Sequence, residues 1–237
     1  KHAQEGLVEP LPMWRWFEEK FGLDTSYVQA VFVGIEKEVT LNVLQSAVKQ
    51  FVGGHSICRL AYEGEKYRIR AASEIDTNSW IEQVQLASFS GAEIDGVFER
   101  RSRTLTPIKQ RLSHFVLCRD PEGNQGLMIL AHHLIVDGVS WRVLIPQLRT
   151  MVNSVLNAEA TDVEGEITGI NSWSQALHER LPLFRQRLPF WQAIDSTAVS
   201  SIKALPARSK LESRRTLISE PVKALIKQRR QSVCCHD

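Results

Sequence analysis

The order of apolar and polar residues divides the chain into helical and extended segments. Residues 12–21 open on Pro12, suited to a first helical position, and set Trp16 and Phe17 one turn before Phe21, which predicts a helix. Residues 27–36 are rich in Val, Tyr and Phe with partial alternation and predict a strand. Leu41, Leu44, Val48, Phe51 and Val52 recur at helical spacing until Gly53-Gly54 stops them. Residues 58–63 and 67–72, on either side of Gly64, predict a short hairpin. Asn78 stands where a cap would, so residues 78–89 predict a helix, whereas the charged, mixed segment 92–109 gives no assignment. Residues 114–119 and 126–133 predict two apolar strands joined by a turn over Asp120–Gly123. After Asp137-Gly138, Val143, Leu144, Leu148, Met151, Val152 and Val155 make one face of a helix, in which Pro146 predicts a kink or a late start. A polar loop over 157–169 leads to one or two further helices in 171–191. Residues 195–210 then read as a linker, and 214–219 as the beginning of another strand. Strands and helices alternate, which predicts an α/β sandwich.

Composition narrows the class. Of 237 residues 43% are hydrophobic and 24% charged, ordinary globular values that exclude wholesale disorder. The net charge of +2 implies no strong field for nucleic acid or membrane partners. Cys58, Cys118, Cys234 and Cys235 form no CxxC pair and do not read as a disulfide framework. The first twelve residues lack a signal-peptide apolar run, and Leu127–Val136 is too short to span a bilayer, so a soluble, cytoplasmic protein is expected. No Gly-rich phosphate loop is present, so no nucleotide cofactor is implied.

The chemistry concentrates in Ala131–Trp141, AHHLIVDGVSW. Neighbouring strand residues point to opposite faces, so one of His132 and His133 should face the core and the other a cleft. A cleft histidine titrates near neutral pH and can move protons. A histidine pair in a strand can instead serve packing or hydrogen bonding. His132, His133 and Asp137 could also be metal ligands, although adjacent strand side chains diverge. Asp137, at a turn, is suited to accept backbone N–H groups or an arginine, and Gly138 permits a tight turn. His55 and His114 read as structural or exposed, and His178 as solvated. Nine basic residues lie within 203–230 and read as a solvated helix face or a patch for an acidic carrier domain or a phosphate.

The string HHLIVDGVSW resembles the HHxxxDG motif of the condensation-domain superfamily of nonribosomal peptide synthetases, and its VDGVSWR form looks most like the epimerization branch. PMWRWF (residues 12–17), HSICRLAY (55–62), SWSQALHERL (172–181) and LPFW (188–191) resemble further elements of that family in the same order. Trp14 stands where a glutamine is usual, and Ala61 replaces a second arginine after Arg59.

The resemblance implies a chloramphenicol-acetyltransferase-like lobe over residues 1–195, with 196–237 a linker and the start of an incomplete second lobe. It implies that a substrate arrives as a thioester on the phosphopantetheine arm of a peptidyl carrier domain, with no cofactor bound directly and neighbouring synthetase domains as partners. His133 would be the acid/base that exchanges the α-proton of an aminoacyl or peptidyl thioester, supported by His132, Gly138 and an ion pair between Asp137 and Arg59. A helix beginning near Ser140 could stabilise the oxyanion with its free N–H groups. The alternatives are a condensation domain, in which His133 orients the attacking amine or alcohol, and a non-catalytic fragment. Relatives are two-lobed and about twice this length, and no EGHGRE-like segment supplies the glutamate expected opposite the histidine. The chain alone is therefore expected to be inactive or nearly so, with its inter-lobe apolar surface exposed.

Overall fold

The computed structural model describes residues 5–160 and 166–196. Along the chain come β1 (Gly6–Val8), α1 (Pro12–Phe21), β2 (Val28–Ile35), α2 (Leu41–Gly54), β3 (Leu60–Glu63) and β4 (Lys66–Ile69). They are followed by β5 (Ile81–Gln85), α3 (Gly91–Ser102), β6 (Ser113–Arg119), β7 (Gln125–His132), α4 (Ser140–Leu156), α5 (Ile170–Glu179), α6 (Leu181–Arg185) and α7 (Leu188–Ser196). The chain falls into two units divided between Arg187 and Leu188, and α7 is the described part of the second.

The first unit is built on a four-stranded sheet in the order β2-β7-β6-β5. The β2–β7 and β7–β6 pairs are antiparallel, and β5 lies parallel to β6. The two central strands are buried on both faces, which explains their nearly unbroken apolar sequence. Phe115, Leu117, Leu127 and Ile129 pack with α2 and α4 on one face. Val116, Cys118, Met128 and Leu130 pack with Val97 of α3 on the other, completing the α/β sandwich. A smaller antiparallel sheet, β1-β4-β3, shares a second core with α1 through Val8, Trp14, Phe17, Tyr67 and Ile69.

Several expectations are corrected. Residues 78–89 are not a helix. Asp76, rather than Asn78, caps a 3-10 turn over Thr77–Trp80 by accepting from the Asn78 N–H at 3.1 Å, and β5 follows as an edge strand. The unassigned 92–109 segment holds most of α3, whose Ser90 hydroxyl accepts from the Glu93 N–H at 3.4 Å. Pro146 does not delay α4, which starts at Ser140 and runs through it. Val143 is 52% exposed, so the buried face of α4 is carried by Leu148 and Met151, with Leu144, Val152 and Val155 beside them. Three short helices, not one or two, occupy 170–196. The expected linker from 197 onward, the 214–219 strand, the 203–230 basic cluster, Cys234 and Cys235 lie outside the described residues.

Candidate active site

The end of β7 delivers the two histidines into different surroundings, as strand alternation requires. His132 is fully buried, with the Phe17 ring edge-on at a centroid distance of 5.3 Å. Its Nδ1 accepts from the Leu134 N–H at 3.2 Å, so the ring hydrogen sits on Nε2, which donates to the Thr25 carbonyl at 3.0 Å. Burial holds its pKa below the usual histidine value. His132 is thus a neutral, fully bonded spacer between α1 and the sheet.

His133 continues the ladder past the strand end, donating its backbone N–H to the Tyr27 carbonyl at 2.7 Å. Its ring is half-buried and stacks on the exposed Tyr27 ring at 5.1 Å and 20°. Nδ1 lies 2.8 Å from the Val136 carbonyl oxygen, which can only accept, so Nδ1 carries a hydrogen and the neutral form of the ring has its lone pair at Nε2. Gln29 of β2 meets that lone pair at 2.9 Å, and the Trp141 indole N–H donates to Gln29 Oε1 at 2.8 Å.

Asp137 and Arg59 are not brought together. Asp137 is exposed, and its Oδ1 accepts from the Val139 N–H at 3.0 Å and from the N–H and hydroxyl of Ser140, both at 2.7 Å. The Asp137 N–H in turn donates to Ser140 Oγ at 3.2 Å, so the two residues form a reciprocal cap. The Ser140 bonds hold the Asp137 carboxyl below the usual aspartate value. Arg59 is buried elsewhere. It closes the end of α2 by donating to the carbonyls of Val52 at 2.7 Å and Gly53 at 2.9 Å, and to that of Arg70 at 2.9 Å. The expected ion pair is replaced by two separate caps because the Asp137 turn faces its own helix.

That cap also overturns the helix end as an oxyanion site. The N–H groups of Val139 and Ser140 are taken by a carboxylate, and that of Trp141 by the Asp137 carbonyl at 3.4 Å. Gly138 sits exposed within this turn. Among the described residues no group of three or more His, Cys, Asp or Glu could hold a metal ion. Burial pushes the thiols of Cys58 and Cys118 up to about 12 and about 11, so neither is a nucleophile at neutral pH. A hollow of about 380 Å³ lies beside β2 and α4, but His133 is not one of its walls. Among the described residues no helix is long and apolar enough to cross a membrane.

Sequence reading missed Gln29, Tyr27 and the hydrogen bond that Trp141 gives to Gln29. The period-2 pattern of β2 held the signal for Gln29, a polar residue on the same face as Val31, Val33 and Ile35.

Comparison with known proteins places the chain in a family. The family model described as Condensation domain matches residues 5–231. Vanchrobactin synthetase VabF of Vibrio anguillarum is 35% identical over 223 residues, covering 94% of this chain and 8% of that protein. Chondramide synthase cmdD of Chondromyces crocatus is 27% identical over 199 residues, covering 74% and 5%. Among solved structures, the epimerization domain from the third module of tyrocidine synthetase B superposes with a TM-score of 0.73 at 21% identity, covering 89% of this chain and 49% of that one. The starter condensation domain of the rhizomide synthetase gives 0.62 at 12% identity, covering 79% and 48%. The chain therefore spans about half the length of these solved domains and under a tenth of these synthetases, and its fold is theirs. With a match that takes in nearly the whole chain, this protein belongs to the condensation-domain family.

Proposed function

We propose that the chain forms the His133-bearing half of an epimerization domain in a nonribosomal peptide synthetase. The observation that carries its catalytic part is the hold of the Val136 carbonyl on the His133 Nδ1–H, which in the neutral ring leaves the lone pair at Nε2. A neutral imidazole so held is a base with a defined direction. The substrate would be an aminoacyl or peptidyl thioester on the phosphopantetheine arm of a carrier domain, delivered by neighbouring synthetase domains. Its α-proton passes to Nε2, and the electron pair of the C–H bond delocalises onto the thioester carbonyl as an enolate. A proton given to the opposite face by an acid on the other half of the domain, the glutamate expected there, inverts the centre, and His133 then releases the proton it took. The thioester itself acidifies the α-proton, so the step needs no cofactor held by the chain. The VDGVSWR sequence after the histidines supports this branch of the family.

The same lone pair would equally serve an attacking amine, and the matched family is described by condensation rather than epimerization. One experiment separates the two. The chain is joined in one polypeptide to the C-terminal half of the tyrocidine synthetase B epimerization domain and given an α-deuterated aminoacyl thioester on a carrier domain. Epimerization washes out the label, and His133→Ala slows that loss by about 10²–10⁴-fold. Amide formation with the label retained supports condensation instead.

A further inference from the structure

Two side chains outside the histidine motif govern the state of the His133 ring. A neutral imidazole carries one hydrogen, and the Val136 carbonyl fixes it on Nδ1. At the other nitrogen stands the Gln29 amide nitrogen, 2.9 Å away. A glutamine amide can be turned either way, but here its orientation is set from the far end. The Trp141 indole can only donate, and it lies 2.8 Å from Gln29 Oε1. The amide oxygen must face Trp141, so the NH2 group must face His133. Donors therefore run in one direction, from Trp141 to Gln29, from Gln29 to His133 and from His133 to the Val136 carbonyl. Turning any one member would set two donors or two acceptors against each other. All three side chains are partly buried, where an unmatched polar group costs more than in water.

We infer that Gln29, oriented by Trp141, is a positioning residue that holds His133 in the Nδ1–H tautomer and fills the lone-pair direction of Nε2 until a substrate proton takes it. The consequence for turnover rests on the reading of His133 as the acid/base. The tautomer lock itself rests only on the geometry.

The test is a two-bond 1H–15N correlation spectrum of the full 237-residue chain labelled at histidine nitrogens, with His133 assigned by substitution. The native chain should show His133 in the Nδ1–H form, with Nε2 resonating as an unprotonated ring nitrogen. Trp141→Phe keeps a ring for packing but removes the donor, so the Gln29 amide is free to present its oxygen to Nε2. Gln29→Glu presents only acceptors there. Both variants should raise the Nε2-protonated population of His133 severalfold, with the remaining histidine signals marking an intact fold. An unchanged His133 signal in both would overturn the lock.

In the deuterium exchange assay above, Gln29→Leu should lower kcat roughly ten- to a hundredfold with KM little changed, as expected when a reacting group loses its alignment. Unchanged kcat in a variant whose tautomer has shifted would overturn the positioning role. If instead the tautomer shifts and His133→Ala retains exchange, the lock stands and the acid/base reading of His133 falls.

Discussion

The Trp14 indole N–H donates to the Leu134 carbonyl at 3.1 Å, joining the first helix to the loop that follows the histidine pair. Phe17, one turn on, packs against His132 from the same helix. Helix α1 therefore fixes the loop from beneath while Tyr27 covers His133 from β2's side. Trp14→Phe should keep most of the packing and orphan a buried carbonyl, costing about 1–3 kcal/mol. Trp14→Ala should cost about 3–5 kcal/mol. Urea unfolding followed by circular dichroism reads both. Equal losses in the two variants would mean that ring volume contributes nothing beyond the bond.

Asp137 gives a graded test because its partners are backbone and hydroxyl donors, not a buried arginine. Asparagine caps a helix about as well as aspartate, so Asp137→Asn should change stability by no more than about 0.5 kcal/mol, whereas Asp137→Ala should cost about 0.5–2 kcal/mol. A folded-state pKa below the ordinary aspartate value of about 3.9 means that the carboxylate's contribution is present above that pH. It is lost as the pH falls through the lowered folded value. The deficit of Asp137→Ala should therefore be largest near neutral pH and shrink on strong acidification. A loss of several kcal/mol in Asp137→Asn would instead point to a buried charge pair.

The parts of the fold legible in sequence are those where one pattern dominated. Strands β6 and β7 are buried on both faces and read as apolar runs, and α2 shows a clean helical stripe. Strand β5 was hidden because it is an edge strand that places Gln83 and Gln85 outward. Its Glu82 faces inward to meet His114 at 3.0 Å and to pair with Arg101, neither of which the local sequence announces. Helix α3 was hidden because it buries only Val97 and is interrupted by Gly96, leaving Ser90 and Glu93 as its readable start. At the site, HHxxxDG located the histidine ring. The direction of its lone pair came from Val136, Gln29 and Trp141, whose meeting depends on the β2–β7 register that sets Gln29 opposite Ala131.

That register has a checkable counterpart at its other end. Gly126 pairs with Gly34, and the Phe32 ring lies over the space a side chain at 126 would fill, 2.2 Å from an added Cβ. Phe32 is itself set edge-on to Phe89 at 5.3 Å, so it cannot move freely. Gly126→Ala should cost about 1–3 kcal/mol by overpacking. Adding Phe32→Leu should return part of that loss, measured as a negative coupling in a double-mutant cycle of unfolding free energies. Strict additivity of the two substitutions would show that the ring does not resist the new methyl group.

Three partly or fully buried histidines make stability depend on pH in one direction. Burial lowers the pKa of His55, His114 and His132, with neighbouring groups modifying each. A lowered folded value means that the unfolded chain binds more protons between that value and the ordinary histidine value of about 6.5. The neutral rings therefore contribute fully above about pH 6.5, and stability falls as the pH drops below it. Each histidine adds at most about 1.4 kcal/mol per pH unit to that slope. Carboxylates remain largely ionised down to about pH 5.5 and contribute little in this range. The urea midpoint should fall steadily from about pH 7.5 to about pH 5.5 at constant ionic strength. His132 has both ring nitrogens committed, one as donor to Thr25 and one as acceptor from Leu134, so protonating it must break the Leu134 bond. Amide exchange at Leu134 should accordingly quicken over the same interval, and a flat urea midpoint would show that these rings accept protons without loss of structure.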